Sequence, residues 1–353
     1  MQVMPDREEI LASADPTLQE AGKRGLTMCL GASKDDTVTV VADEPGIVVG
    51  AAFVAAAIEE GIENHAFLLE RHHKRPMTRF SDEIMRTVES STVTVMVITP
   101  KPGELKSRIQ FIGATTKLGI RHAHLVAVNT EALRMGMRAD YHAVDALQDR
   151  IVEVLDEAGG VQVHSPGGTS LEVTFSSDYR WVRSNGLITP GNWQNLPSGQ
   201  VYTCPGSVDG TYVADRSIGD WFEQSYPDLA EYPVTLSLSG GRLVNVTCSN
   251  RKLQRELTLF TRSSKNGDRV GEIGFGTNPF LEFMVGQITN NEDVPGVHIA
   301  MGDPFPDKTG ADWSSGVRVP LVGAEMSITA GDRVIMEEGK FARDLLAGLP
   351  DMS

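Results

Sequence analysis

The sequence predicts a two-part α/β protein: an N-terminal parallel sheet flanked by helices, followed by a C-terminal, mainly antiparallel, β-rich α+β domain. Three observations predict it. Short β-branched runs alternate with helical patterns from about Asp36 to Phe175. Beyond that the texture changes to short strands between Gly- and Pro-rich turns. The chain has 353 residues, more than the roughly 250–300 at which a single hydrophobic core stops growing. The expected division is 1–178 and 179–353.

In the first half, DTVTVVAD, HAFLLER, STVTVMVITP and HAHLVAVN are apolar-rich runs of strand length bounded by polar, Gly or Pro signals. Between them GIVVGAAFVAAAIEEGI, RFSDEIMRTVES and KSRIQFIGATTKLGI repeat their apolar residues at helical spacing. Strand and helix taking turns implies a parallel sheet covered on both faces. ADYHAVDALQDRIVEVLDEAGG is a long amphipathic helix with a Gly-Gly stop, expected to close the first half. The second half contains LPSGQVYTCPG, DGTYVADRS, VTLSLSGGRLVNVTC, GDRVGEIGFG, GVHIAMGDPF, VRVPLVG and DRVIMEEGKF, turn-bounded runs expected to form an antiparallel sheet interrupted by one helix near Asn250–Ser263. The extreme ends are expected to be loose.

Composition narrows the function. A net charge of −15 and a pI near 5.0 disfavour nucleic acid and anionic membrane, since neutralising phosphates takes clustered Lys and Arg. The longest apolar run, Gly46–Ile58, falls short of the roughly 20 residues that span a bilayer. The N-terminus MQVMPDREEI is acidic where an export signal is basic, so the expected address is the cytoplasm. Cys29, Cys204 and Cys248 are too few and too widely spaced for a disulfide framework or a CxxC zinc site, and are expected to be packing residues.

Four short glycine-rich signatures stand out in the second half: GTSL at 168–171, LPSGQVYTCP at 196–205, GEIGFGTNP at 271–279 and HIAMG at 298–302, followed by the 316–321 strand and GKF at 339–341. Their order resembles that of the aminopeptidase T family of divalent-metal exopeptidases, which has a companion branch containing a dihydroxypyridine ring-cleaving iron dioxygenase. The resemblance implies a site where carboxylates and imidazoles hold two divalent ions. Carried over residue by residue, it puts Gln200 where peptidases have a Glu, keeps Glu272 and His298, and puts Phe305 where they have a Tyr. Arg318 and Pro320 stand where the family has a paired His and Asp. A permanently cationic Arg opposes a dication, and the expectation is that Arg318 pairs with Glu272 instead. The dioxygenase branch needs two His and one carboxylate on one face, and only His298 falls in the matching segments.

Other candidates have plainer explanations. His72 and His73 in ERHHKRP suggest a solvated basic loop. His122 and His124 share one face of a strand by period-two spacing, without an acidic neighbour at ligand spacing. His142 and His164 are expected to be structural, and Ser165–Gly168 to be a tight turn. Asp303, Asp307 and Asp312 suggest an exposed acidic loop. Trp181, Trp193, Trp221 and Trp313 all fall in the second half and suit peptide contact and core packing equally.

The resemblance and its departures together imply a pseudo-enzyme: a peptide-binding protein that has lost its metal site and holds a precursor or partner polypeptide for other enzymes. In this it is similar to the peptide-binding proteins of crocagin, a ribosomal peptide. The expected ligand-binding residues are Gln200, Glu272, His298, Phe305 and Arg318, with no cofactor; a partner enzyme and a homodimer are possible partners. The alternative is an active aminopeptidase or ring-cleaving dioxygenase holding zinc, cobalt or iron through Glu272, His298 and Glu292.

Overall fold

A computed structural model describes residues 4–219, 221–350 and 352; the extreme ends, expected to be loose, lie largely outside them. The chain forms two compact units, each built from two stretches: Met1–Tyr141 with Gly186–Ser198, and His142–Asn185 with Gly199–Ser353.

The first unit carries the parallel sheet. Its strands lie in the order Glu63–Leu68, Thr37–Ala42, Val93–Ile98, Arg121–Val126 and Trp193–Asn195, each parallel to its neighbour. The first four coincide closely with the sequence expectation. The fifth, an edge strand carrying Trp193, does not; three residues of mixed polarity give no periodicity from which to find it. The Val93–Ile98 strand is buried along its whole length, as a strand covered on both faces must be. Helix Ile47–Glu59 has eight buried residues, chiefly Ala, Val and Gly, and a Cβ on Gly50 would stand only 2.8 Å from that of Ala42 on the sheet.

At the C-terminal ends of these strands a buried ion cluster takes the place of an apolar crossover. Arg75 bonds Asp43 (2.6 Å), Glu70 (3.1 Å) and Glu104 (2.5 Å), and its Nη2 also donates to the Thr99 carbonyl. The ERHHKRP segment is therefore not the solvated loop its composition suggests. His72 contacts Asp6 at 2.6 Å and Glu83 at 3.4 Å, and His73 accepts the Ser81 amide. Opposite-sign partners such as Asp43, Glu104 and Asp6, 32, 29 and 66 residues away, are invisible to local charge counting. His122 and His124 lie side by side at 3.2 Å, with Thr94 on the far nitrogen of His122, and burial holds both rings in the neutral form. Their role is to pack the sheet.

The second unit begins at His142, within the long helix Tyr141–Ala158, which buries Val144, Leu147, Ile151 and Leu155 and ends at Gly159, whose φ of 66° is open to glycine at little cost. This helix and the hairpin of Gly160–His164 with Ser170–Thr174 thus group with the second unit. A single antiparallel sheet was expected, but the strands sort into two, because turn spacing does not say which strands pair. One has eight strands, from Arg242–Thr247 at one edge to Lys340–Phe341 at the other. The other has six, in the order Ser217–Ile218, Arg318–Val322, Gly296–Gly302, Val270–Gly276, Gln200–Thr203 and Val182–Ser184. The expected helix is Arg251–Arg262, capped by Asn250. All three cysteines are free and buried, and no helix among the described residues is long and apolar enough to cross a membrane.

Replacing Arg75 by Met would leave Asp43 and Glu104 buried without their cation. The expected cost is roughly 3–5 kcal/mol of stability, measurable by chemical denaturation; a loss below about 1 kcal/mol, the value of an exposed pair, would show the cluster to be solvated.

Candidate functional site

The six-stranded sheet brings the motif residues to one face. Glu272 stands opposite Ala300, and Ala300 opposite Pro320. Residues two apart share a face, so His298 and Arg318 lie diagonally beside Glu272. By the same count Tyr202, opposite Gly274, and Gln200, opposite Gly276, complete the row. The register slips between Val270 and Glu272; such a bulge re-aims the residue beside it, here Glu272. Between the functional side chains the face is lined by Gly274, Gly276, Ala300 and Gly302. Gly274 is required outright: a Cβ there would lie 2.1 Å from His298 Nε2.

In the cleared space His298 Nε2 lies 3.2 Å from Glu272 Oε1, and both side chains are only 1% exposed. Arg318 Nη2 donates to both Glu272 oxygens, at 3.0 and 3.1 Å, and to Glu292 Oε1 at 3.2 Å. The expected Arg318–Glu272 pair is therefore present, and Glu292, which follows the short helix Ile288–Asn291, joins it. Burial alone would raise the Glu272 carboxyl, but the Arg318 charge and the His298 hydrogen bond overcome it and hold the group below the usual carboxylate range. Tyr202 is pushed the other way, by burial and by the negative charge of Glu272.

Phe305 covers the guanidinium. Its ring centre lies 4.8 Å from Arg318 Cζ, 5.7 Å from Lys308 Nζ and 6.3 Å from the Tyr202 ring, within the range of cation–π attraction. The backbone there is left-handed, with φ of 53°, a strained state for an aromatic residue. It is held by the Asp303 carboxylate, which accepts the Phe305 amide at 2.9 Å and the Ser315 amide at 3.0 Å. Asp303 is thus a loop brace, and Asp312 contacts Tyr179 Oη.

Gln200 shares the face but has a different neighbour, the Asp293 carboxyl, to which its side chain hydrogen-bonds along with the Gly199 amide. Asp293 is 2% exposed. Burial, reinforced by the adjacent charge of Glu292, raises its pKa well above the usual carboxylate range. Neither Asp293 nor Lys308 stands out in the sequence, because each owes its setting to burial by residues distant along the chain. The tryptophans are engaged elsewhere: Trp181 with Phe175 and Phe275, Trp193 with His124, Trp221 with Phe260 and Trp313 with Arg269.

Glu272, Glu292 and His298 offer three donor atoms within 4.8 Å of one another, a spacing suited to one divalent ion. The fourth member decides the fit. With Arg318 spread over both carboxylates, the negative charge that would attract a dication is already taken by a fixed cation, and the cluster as folded does not fit a metal.

A parallel α/β unit and an antiparallel unit that carries a buried cluster of two carboxylates, an imidazole and a guanidinium define a two-unit α/β scaffold. The signature of the 2,5-dihydroxypyridine 5,6-dioxygenase family, NicX, matches residues 18–300, and the chain belongs to that family. Its fold is similar to that of the 2,5-dihydroxypyridine dioxygenase from Pseudomonas putida KT2440, at 17% identity and a TM-score of 0.61 over 93% of this chain and 98% of that one. It is also similar to wild-type AmpT, an aminopeptidase T, from Thermus thermophilus, at 15% identity and a TM-score of 0.64 over 92% and 99%. The scaffold expected from the aminopeptidase T resemblance is thus present. No curated protein matches the sequence significantly.

Two outcomes follow from the charges. Arg318→Ala should cost roughly 3 kcal/mol, because it removes the guanidinium shared by two buried carboxylates; denaturation curves indistinguishable from the parent would show the ion cluster to be unimportant. Asp293→Asn should stabilise the protein at neutral pH. A carboxyl whose pKa is raised on folding contributes fully only below its unfolded value of about 3.9 and loses that contribution as pH rises. The Asn variant's advantage should therefore vanish near pH 4 and grow toward pH 7; an advantage independent of pH would contradict a raised pKa.

Proposed function

We propose that this chain is a non-catalytic peptide-binding protein, holding a precursor or partner polypeptide for other enzymes on a scaffold whose metal centre has become a protein-only ion cluster. One observation carries the reading: the Arg318 guanidinium bonds Glu272 and Glu292 at 3.0–3.2 Å. A guanidinium can hold the shape of such a centre, yet it has no empty orbital with which to polarise a carbonyl or acidify water as a metal does. Phe305 supports the same reading, since an aromatic ring over Arg318 fixes the cation without supplying an oxygen ligand. The sheet ends on one side at the short, partly exposed strand Val182–Ser184, where an extended peptide would add main-chain hydrogen bonds. The likeness to crocagin peptide-binding proteins belongs to this proposal, as do a cytoplasmic address and a homodimer.

The second reading is a divalent-metal enzyme, and the 4.8 Å grouping of Glu272, Glu292 and His298 favours it. It requires Arg318 to leave the cluster. Metal analysis after incubation with zinc, cobalt or ferrous iron, followed by gel filtration, separates the two. The expectation is a sub-stoichiometric metal content for the parent protein and a gain in zinc uptake for Arg318→His, which exchanges the cation for a ligand. One ion per chain in the parent, retained through gel filtration, would replace the binding reading with the enzymatic one.

A further inference from the structure

The helix Arg251–Arg262 carries charge opposite to that of the protein. From Arg251 to Lys265 five cations face the single carboxylate of Glu256, a local net of +4 in a chain of −15. Arg262, in the last turn, suits the helix dipole, but the cations at the start do not. Arg251 and Lys252 occupy the first turn, which contains no acidic residue, where the helix dipole disfavours positive charge. Nor are they balanced within the fold. Lys252 reaches Glu256 only at 3.8 Å, Glu256 is also taken by the Tyr226 hydroxyl at 2.7 Å, and no ion pair among the described residues engages Arg255 or Arg262.

The exposed face joins this charge to apolar surface. Lys252, Arg255, Leu259 and Arg262 recur at three- and four-residue intervals, so they form one stripe, and all are exposed. Leu259 is 58% and Trp221 63% exposed. Trp221 lies parallel to Phe260 of the helix, at 1° and 6.0 Å, while Phe222 meets both rings edge-on. A tryptophan held flat by two aromatic neighbours and open to solvent is a rigid contact surface, the kind that dominates binding energy at interfaces.

We propose that this face is a docking surface for an acidic polypeptide segment bearing an aromatic or aliphatic side chain. Carboxylates would pair with the Arg255–Arg262 stripe while the apolar side chain covers Trp221. The 12-residue helix is about 18 Å long at 1.5 Å per residue, a length that roughly six extended residues span. A net of four charges matches three or four carboxylates. Duplex nucleic acid fits less well, since it presents a charge about every 1.7 Å of its axis to a protein that is otherwise strongly acidic. A lipid surface also fits less well: Leu253 and Leu257 are buried in the fold, and the exposed Leu259 and Trp221 leave too narrow an apolar stripe for insertion. None of these residues belongs to the Glu272 cluster, so the proposal stands apart from the peptide-holding reading of that site.

The test is fluorescence anisotropy of a labelled octapeptide of glutamates with one central phenylalanine, titrated with the full-length protein. The expectation is saturable binding that weakens with salt, falls at least about tenfold in Arg255→Glu/Arg262→Glu, and falls about tenfold in Trp221→Ala. An all-glutamate octapeptide should bind more weakly. Arg255→Gln/Arg262→Gln, with its circular dichroism and melting compared with the parent, separates lost charge from lost fold. Absence of binding, binding indifferent to charge reversal, equal binding of an oligonucleotide of the same charge or of anionic vesicles, or a dimer that charge reversal dissolves would each overturn the assignment.

Discussion

One guanidinium organises the candidate site. Arg318 bridges Glu272 and Glu292, and both carboxylates are buried. Without it, two negative charges would face each other in a poorly solvated space, where their repulsion and desolvation would be severe. The ion cluster is in turn held from above by the Phe305 ring and from below by the sheet. The site is better described as an electrostatic core than as an emptied pocket.

The sheet makes room for that core by what it omits. Gly274, Gly276, Ala300 and Gly302 carry little or no side chain on the face that bears Glu272, His298 and Arg318, and the bulge before Glu272 turns its carboxylate toward them. This arrangement explains the shortness of the motifs GEIGFG and HIAMG. Each holds one or two chemical groups, and the rest is clearance. The same fold is shared with a dioxygenase and with an aminopeptidase T, and such a frame specifies geometry without specifying chemistry.

Much of this was legible in the chain because it is written in local patterns. Four parallel strands, three helices between them and nearly every antiparallel run follow from periodicity and turn residues. The Arg318–Glu272 pair follows from motif order alone. What was not legible depends on residues far apart in sequence. The sorting of strands into two sheets is such a case, as are the edge strand Trp193–Asn195, the partners of Arg75 and the setting of Asp293. ERHHKRP shows the difference well: its composition is that of a solvated surface, yet Arg75 is enclosed by Asp43 and Glu104, more than twenty-five residues away on either side.

The interleaving of the two units has a consequence for how the chain matures. Residues 142–185 belong to the second unit, and 186–198 return to the first. As the polypeptide leaves the ribosome, the parallel sheet therefore waits with its Arg121–Val126 margin open while a long helix and a hairpin of the other unit are made. Only then does Trp193–Asn195 arrive to close it. Vectorial synthesis, which normally lets an N-terminal domain finish first, here leaves an uncovered strand border during elongation, and that interval is when a chaperone or a neighbouring nascent chain would find the protein most receptive.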